Sequence, residues 1–318
     1  MLISFVIPVL NECESLNQLY DEILANLGDN TYEIIFVDDG STDGSYKVMC
    51  DLAALDQQVK VIKFRRNFGK AAALQKGFEH ADGEIVFTMD ADLQDIPAEI
   101  PAFIAKLNEG FDLVSGWKKK RRDPWYKRLP SRLFNSVTGY TFKLKLNDYN
   151  CGFKAYRREV VTELSLYGEM HRYIPALAHS LGFRVGEIPV EHRARQYGKS
   201  KYGVERYLRG FFDLLTVRMI TYYIKSPLYL FGRVGLISTI IGSLITLYLA
   251  VLKIFWGMPL SNRPLLLLGV LMILGGLQFI SLGLISELII NRISPTQRLP
   301  LSIETMLNVE QHSKDAKP

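Results

Sequence analysis

Through the first half of the chain, short apolar runs of strand type alternate with stretches whose apolar residues recur at helical spacing. Ile3–Pro8 is the first such run, and Leu16, Leu19, Ile23, Leu24 and Leu27 follow it on one helical stripe. Glu33–Val37 predicts a second strand, ending in Asp38-Asp39-Gly40-Ser41, and Ser45–Leu55 predicts a helix. Strands are expected again at Val59–Phe64, Ile85–Met89 and Leu113–Trp117, with helices at Ala71–Phe78 and Ile100–Leu107 between them. This alternation predicts right-handed crossovers and an α/β fold with a mostly parallel, doubly wound sheet. Ligands of such sheets bind beyond the carboxyl ends of the strands. Two acidic stretches, Asp38-Asp39 and Asp90-Ala91-Asp92, fall at such ends. Later segments are less regular. Arg132–Thr141 is a candidate helix, Gly152–Tyr156 and Phe183–Val190 are candidate strands, and His192–Gly203 reads as a basic loop.

The pattern changes beyond Pro227. No charged residue occurs from Val234 to Leu252 or from Pro264 to Ser286, and each run is long enough to cross a bilayer core of roughly 30 Å. Two runs in succession, joined by the short Phe255–Arg263 stretch, predict a transmembrane hairpin. Arg206, Arg209, Arg218, Lys225 and Arg233 precede the first span, and Arg292 and Arg298 follow the second, whereas the connection offers Lys253 and Arg263. The positive-inside rule therefore puts both long ends in the cytosol. Val204–Tyr223 carries Leu208, Phe211, Phe212, Leu215 and Met219 on one stripe, which suits either an interfacial helix or an ordinary packing helix. The expected organisation is a cytosolic domain at 1–203, a juxtamembrane helix at 204–226, two spans at 227–292 and a cytosolic tail at 293–318.

Composition narrows the picture further. A net charge of +5 clustered near the spans fits anionic lipid rather than nucleic acid. Cys13, Cys50 and Cys151 have no metal-ligand spacing and read as reduced thiols. Met1–Leu10 lacks the basic start and small-residue cleavage site of a secretory signal.

Asp90 and Asp92, one residue apart on a tight turn, are able to converge on one hard cation such as Mg²⁺ or Mn²⁺, leaving room for diphosphate oxygens. An Asp-x-Asp pair is also common in solvated turns. More specific is a series of six motifs: Val6-Ile-Pro-Val-Leu-Asn-Glu12, Val37-Asp-Asp-Gly-Ser-Thr-Asp43, Arg66-Asn-Phe-Gly-Lys70, Met89-Asp-Ala-Asp-Leu-Gln-Asp95, Asn147-Asp-Tyr-Asn-Cys-Gly-Phe153 and Gly198-Lys-Ser-Lys201. In that order they resemble the family 2 glycosyltransferases, in the branch of dolichyl-phosphate mannose synthase and the bacterial two-span polyprenyl-phosphate glycosyltransferases. The resemblance runs from Ser4 to about Gly203.

The resemblance implies a glycosyltransferase A-type domain that moves a hexose from a nucleotide sugar to undecaprenyl or another polyprenyl phosphate at the cytosolic face of the inner membrane. It implies that Pro8, Leu10, Glu12, Val37 and Asp39 hold the base and ribose. Asp90, Ala91, Asp92 and Gln94 would hold the diphosphate, with Asp90, Asp92 and Gln94 around a Mg²⁺ or Mn²⁺ ion. For Asp38–Ser41 the alternative is a helix N-cap and turn. Asp92, Asp148, Arg132, Arg195 and Lys201 are the implied catalytic set, the last three on phosphate; Asp148 either orients the substrates or caps a local turn. Lys70 either approaches a phosphate or starts a solvated helix. Gly168–Arg172 either meets the donor sugar or caps a helix. UDP-glucose is the favoured donor by analogy with two-span relatives, and GDP-mannose and UDP-N-acetylglucosamine are the alternatives. A processive polysaccharide synthase would need more spans and a Gln-x-x-Arg-Trp motif, which the chain lacks. A non-catalytic scaffold would have no use for the acidic set. Gly269–Gly283 suits close packing against another helix, including one from a second copy.

Overall fold

The computed structural model describes residues 1–119, 135–193, 217, 219, 226–257, 259 and 263–292; side chains are described as far as 289. Arg132, Arg195, Lys201, most of the Val204–Tyr223 stretch and the tail after 292 lie outside the described residues. Two compact units form, an α/β unit and a helical pair.

In the α/β unit the elements run β1 (Leu2–Val9), α1 (Leu16–Leu24), β2 (Thr31–Asp38), α2 (Ser45–Leu55), β3 (Val59–Lys63), α3 (Lys70–Phe78), β4 (Ile85–Thr88), α4 (Ile100–Asn108) and β5 (Leu113–Lys118). Residues 135–142 are helical (α5), followed by β6 (Lys154–Arg157), α6 (Arg158–Glu163), α7 (Ile174–Ser180) and β7 (Val185–Val190). Among the described residues the strands make one seven-stranded sheet in the order β3-β2-β1-β4-β6-β5-β7. The apolar runs predicted as strands are its central members. Ile3, Phe5, Ile7, Ile34, Phe36, Ile85 and Phe87 are all fully buried in one core, as expected of strands covered on both faces.

The sheet is parallel except at β6, which runs antiparallel to both β4 and β5. That reversal positions the site. Beyond a parallel strand the carboxyl end faces the ligand edge, but β6 brings its amino end there. Thr88, the last residue of β4, pairs with Lys154, the first of β6. The loop ahead of β6, with Asp148, Cys151 and Gly152, is thereby drawn to the acidic turn that follows β4. Beneath it, Phe103 and Phe153 pack with ring centroids 4.4 Å apart and Phe87 lies 5.8 and 6.0 Å from them, an apolar floor for the edge.

The helical pair consists of α8 (Pro227–Trp256) and α9 (Pro264–Arg292). Both are long and apolar enough to cross a membrane, with mean hydropathy 2.1 and 2.4, and both leave most of their large apolar side chains exposed. A core helix of a water-soluble protein would bury them. Gly269, Gly276 and Gly283 face α8 of the same chain. A Cβ on Gly276 would lie 2.6 Å from the Gly235 carbonyl oxygen, and one on Gly242 would lie 2.6 Å from that of Gly269. The glycine stripe thus lets the two backbones meet within one chain, and Ser238 Oγ donates across the seam to the Met272 carbonyl at 2.8 Å.

Candidate active site

At the carboxyl edge of β1, β2 and β4 three loops are stitched together. Pro8 and Val37 are register partners on β1 and β2. Leu10 and Glu12 follow on a loop in which Asn11 adopts φ 53, and Asn11 Oδ1 accepts the Thr42 N–H at 2.7 Å. The Glu12 N–H donates to Ser45 Oγ at 2.9 Å. Asp38 Oδ1 accepts the Ser41 N–H at 2.9 Å, so this carboxylate does cap a turn. It does not cap the helix: the N-cap position of α2 is Gly44, and Asp43 takes the Ser45 N–H at 3.0 Å.

Asp39 faces the third loop. Its Oδ1 accepts the Phe68 N–H at 2.6 Å and its Oδ2 the Gly69 N–H at 3.0 Å. Gly69 has φ 94, a conformation that favours glycine, and it launches α3 at Lys70. Burial raises the Asp39 carboxyl above its usual range, opposed by these two N–H donors. The Arg66–Lys70 motif is therefore a turn held by Asp39 at one end. At its other end Lys70 Nζ forms an ion pair with Asp90 Oδ1. Burial would raise the Asp90 carboxyl, but Lys70, aided by Lys118 and Lys154, overrides it and holds the group down at about 2.

The acidic turn has its own scaffold. Ala91 is buried, and its carbonyl accepts from Ser15 Oγ at 2.5 Å. Leu93 is fully buried at φ 57, which bends the chain so that Asp92 Oδ1 accepts the Gln94 N–H at 3.2 Å. Asp95, 2% exposed, accepts the Asp90 N–H at 3.3 Å and faces Lys118 at 3.5 Å. Burial works against a charged Lys118, but Asp95, then Asp90 and Asp148, keep its pKa above the ordinary lysine range. Gln94 donates through Nε2 to the Arg193 carbonyl at 3.5 Å. The Arg193 N–H returns a bond to the Gln94 carbonyl at 3.1 Å, while the guanidinium holds both oxygens of Glu22 at 2.8 Å.

The loop before β6 closes the site. A Cβ on Gly152 would stand 2.6 Å from Asp90 Oδ2, so a larger residue here would force that carboxylate to shift. Asp148 is buried, with Oδ1 accepting the Asn150 N–H at 3.1 Å, the turn-capping arrangement. Lys154, 3% exposed, donates to the Cys151 carbonyl, and burial, with Lys70 nearby, lowers it to about 8. Arg172 pairs with Glu169 at 2.6 Å. Beside it, burial, then Lys70 and Arg172, keeps His171 well below the usual imidazole range.

The structure thus brings Asp39, Asp90, Ala91, Asp92 and Gln94 to one edge with Pro8, Leu10, Glu12 and Val37, and packs Asp148 behind them. Residues 4–165 match Glycosyl transferase family 2. The chain belongs to that family. Family 2 relatives include a dodecaprenyl-phosphate galacturonate synthase of Rhizobium johnstonii, 36% identical over 90% of this chain and 87% of the relative. An undecaprenyl-phosphate 4-deoxy-4-formamido-L-arabinose transferase of Proteus mirabilis is 36% identical over 90% of this chain and 88% of its own length. Those alignments extend well past the family 2 region. Among solved structures, glucosyl-3-phosphoglycerate synthase of Mycobacterium tuberculosis with Mn²⁺ and UDP-glucose shares the fold. Its TM-score is 0.52 at 22% identity, over 68% of this chain and 78% of that one.

Four contributors went unnoticed as site residues in the sequence. Lys154, Asp95 and Arg193 act through pairings across the sheet edge that sequence spacing does not encode. Asn11 lies inside a quoted motif, and its tolerance of positive φ was the available signal.

Proposed function

We propose that the chain transfers a sugar from a uridine diphosphate donor to a polyprenyl phosphate, with inversion, glucose being the first donor to test. The observation that carries this reading is the meeting of the Asp39 turn and the Asp90–Gln94 turn at one sheet edge, in a chain that also bears two membrane-length helices. Relatives named for dodecaprenyl and undecaprenyl phosphate sugars support the acceptor class.

Pro8, Leu10, Glu12, Val37 and Asp39 line the position for base and ribose. Asp90, Asp92 and Gln94 offer hard oxygen donors that fit Mg²⁺ or Mn²⁺. Among the described residues no three His, Cys, Asp or Glu side chains gather as a complete ion cage, so the diphosphate oxygens would complete the shell. Such an ion, when bound, neutralises charge on the departing diphosphate. A fold neighbour with Mn²⁺ and UDP-glucose supports that assignment.

A lipid monophosphate is already anionic at neutral pH, so attack on the anomeric carbon needs no general base. The protein instead must bring two anions together, and its cations perform that task. Lys70, Lys118 and Lys154 supply positive charge on the donor side, and Arg132, Arg195 and Lys201 are assigned to the acceptor phosphate. Asp148 orients substrate through the loop it caps. A single displacement by the lipid phosphate inverts the anomeric carbon, whereas retention would need a covalent nucleophile and a second displacement. The basic flanks of the hairpin support a cytosolic catalytic unit at the inner membrane.

The test is product formation by the purified chain with a short polyprenyl phosphate. The donor panel is UDP-glucose, UDP-galacturonate, UDP-N-acetylglucosamine and GDP-mannose, and Asp92→Ala is the control. One donor should be consumed, and the variant should lose nearly all product. Equal product from both proteins would remove the metal assignment, and no lipid-linked product from any donor would remove the acceptor.

A further inference from the structure

The turn at Arg66–Lys70 is held at both ends by carboxylates assigned to different parts of the donor. Asp39, on the nucleoside side, binds the Phe68 and Gly69 N–H groups. Asp90, on the diphosphate side, is ion-paired with the very next residue, Lys70. Lys70 is the first residue of α3, and its side chain is 27% exposed against 32% for Asp90, so the pair is accessible to solvent and to a ligand. Behind Asp90 the chain passes close at Gly152, where an added Cβ would stand 2.6 Å from Oδ2.

These facts set up a competition. A divalent ion on Asp90 would lie within a few ångströms of an ammonium already bonded to Oδ1, and the two cations repel strongly at that range. Asp90 offers the ion one negative charge that Lys70 already balances. A nucleoside diphosphate changes the balance, because it brings at least two negative charges that are able to accept both the ion and the ammonium. Lys118 and Lys154 add to the repulsion of a lone ion, since both act electrostatically on Asp90.

We propose that Lys70 is a built-in counter-cation that makes divalent-ion binding conditional on the nucleotide. The ammonium holds Asp90 against a lone metal ion and gives way when the diphosphate arrives, so metal and nucleotide bind with strong positive coupling. This makes Lys70 a positioning residue for the metal site, and the inference rests on the assignment of Asp90 as a metal ligand.

The test uses the full chain in detergent and Mn²⁺ as the probe, with affinity read by electron paramagnetic resonance of the free ion, alone and with saturating UDP. Lys70→Met should bind Mn²⁺ alone at least about tenfold more tightly than the wild type, a figure discounted for solvent at a partly exposed pair. The enhancement of Mn²⁺ affinity by UDP should shrink by at least the same factor, because the substitution tightens ion binding to the nucleotide-free chain without tightening it in the ternary complex, and the enhancement of UDP affinity by Mn²⁺ must shrink equally. Lys70→Arg, which keeps the charge and is the second variant should the methionine chain fail to fold, should retain the wild-type coupling. Unchanged affinity for Mn²⁺ alone in Lys70→Met, or coupling lost in Lys70→Arg, overturns the proposal while leaving the metal site standing. Absence of Mn²⁺ binding to the wild type even with UDP overturns both the proposal and the metal assignment beneath it.

Discussion

Replacing Gly152 by alanine tests the geometry of the site with a single methyl group. The added Cβ would stand 2.6 Å from Asp90 Oδ2 and 2.8 Å from its Cγ. Restoring an ordinary contact of about 3.4 Å requires a shift of about 0.8 Å between strand and carboxylate. The backbone at 152 is pinned, because its carbonyl accepts from Thr88 Oγ1 at 2.8 Å and β6 begins two residues later. The carboxylate, half-buried and at the end of a side chain, therefore moves instead. Overpacking of this kind costs about 1–3 kcal/mol in a closed core, and the lower figure applies where one partner swings toward solvent. The catalytic effect is larger, since misplacing a positioned group by about 1 Å costs up to about a hundredfold. Gly152→Ala should thus fold with a melting temperature within about 4 °C of the wild type and lose about 10- to 100-fold in kcat/KM. Transfer of labelled sugar to a short polyprenyl phosphate measures the loss, and Mn²⁺ affinity in the presence of UDP should fall with it. Wild-type turnover together with unaltered Mn²⁺ affinity would refute the claim that Asp90 works from the position the glycine permits.

Two other predictions concern charge. Burial, with Lys70 close by, lowers Lys154 to about 8 in the folded chain against about 10.4 unfolded. The folded state disfavours the ammonium, so this group's destabilising effect is complete below pH 8 and is relieved as pH rises from 8 towards 10.4. Over the same interval the site loses a positive charge. Activity should therefore decline above pH 8 while thermal stability does not, and Lys154→Arg should carry the activity limb to higher pH; an unmoved limb counts against Lys154 as its source. Glu33, 4% exposed at the opposite, amino-terminal edge of the sheet, accepts from Ser4 Oγ at 2.5 Å and the Asp82 N–H at 2.6 Å, and it pairs with Lys60 at 2.6 Å. Glu33→Ala leaves the buried Ser4 hydroxyl and the part-buried Asp82 N–H without their acceptor and should cost about 1–3 kcal/mol, seen as a lower melting temperature with donor KM unchanged; a raised KM would show that the two edges are coupled.

The fold was legible in the sequence wherever an element's identity is local. Helix α2 spans Ser45–Leu55 as its periodicity predicts, and β1 to β5 lie within two residues of the apolar runs that announce them. Periodicity says nothing about strand direction. A four-residue strand, Lys154–Arg157, is equally apolar read either way, and its antiparallel insertion between β4 and β5 is decided by pairing with residues about 40 to 70 positions away. That one reversal accounts for much of the site that sequence reading left out. It is what sets Lys154 opposite Thr88 and runs Gly152 behind Asp90, and it buries Asp148, which the motifs do offer, in the loop between. The acidic turn itself was readable because its two carboxylates are one residue apart and follow a strand. The Lys70–Asp90 pair was not, because its partners are 20 residues apart on different elements and meet only through the sheet order β2-β1-β4. The motifs therefore identify the donor-binding groups one at a time, whereas the charge balance among them, on which ion binding depends, is a property of the assembled edge.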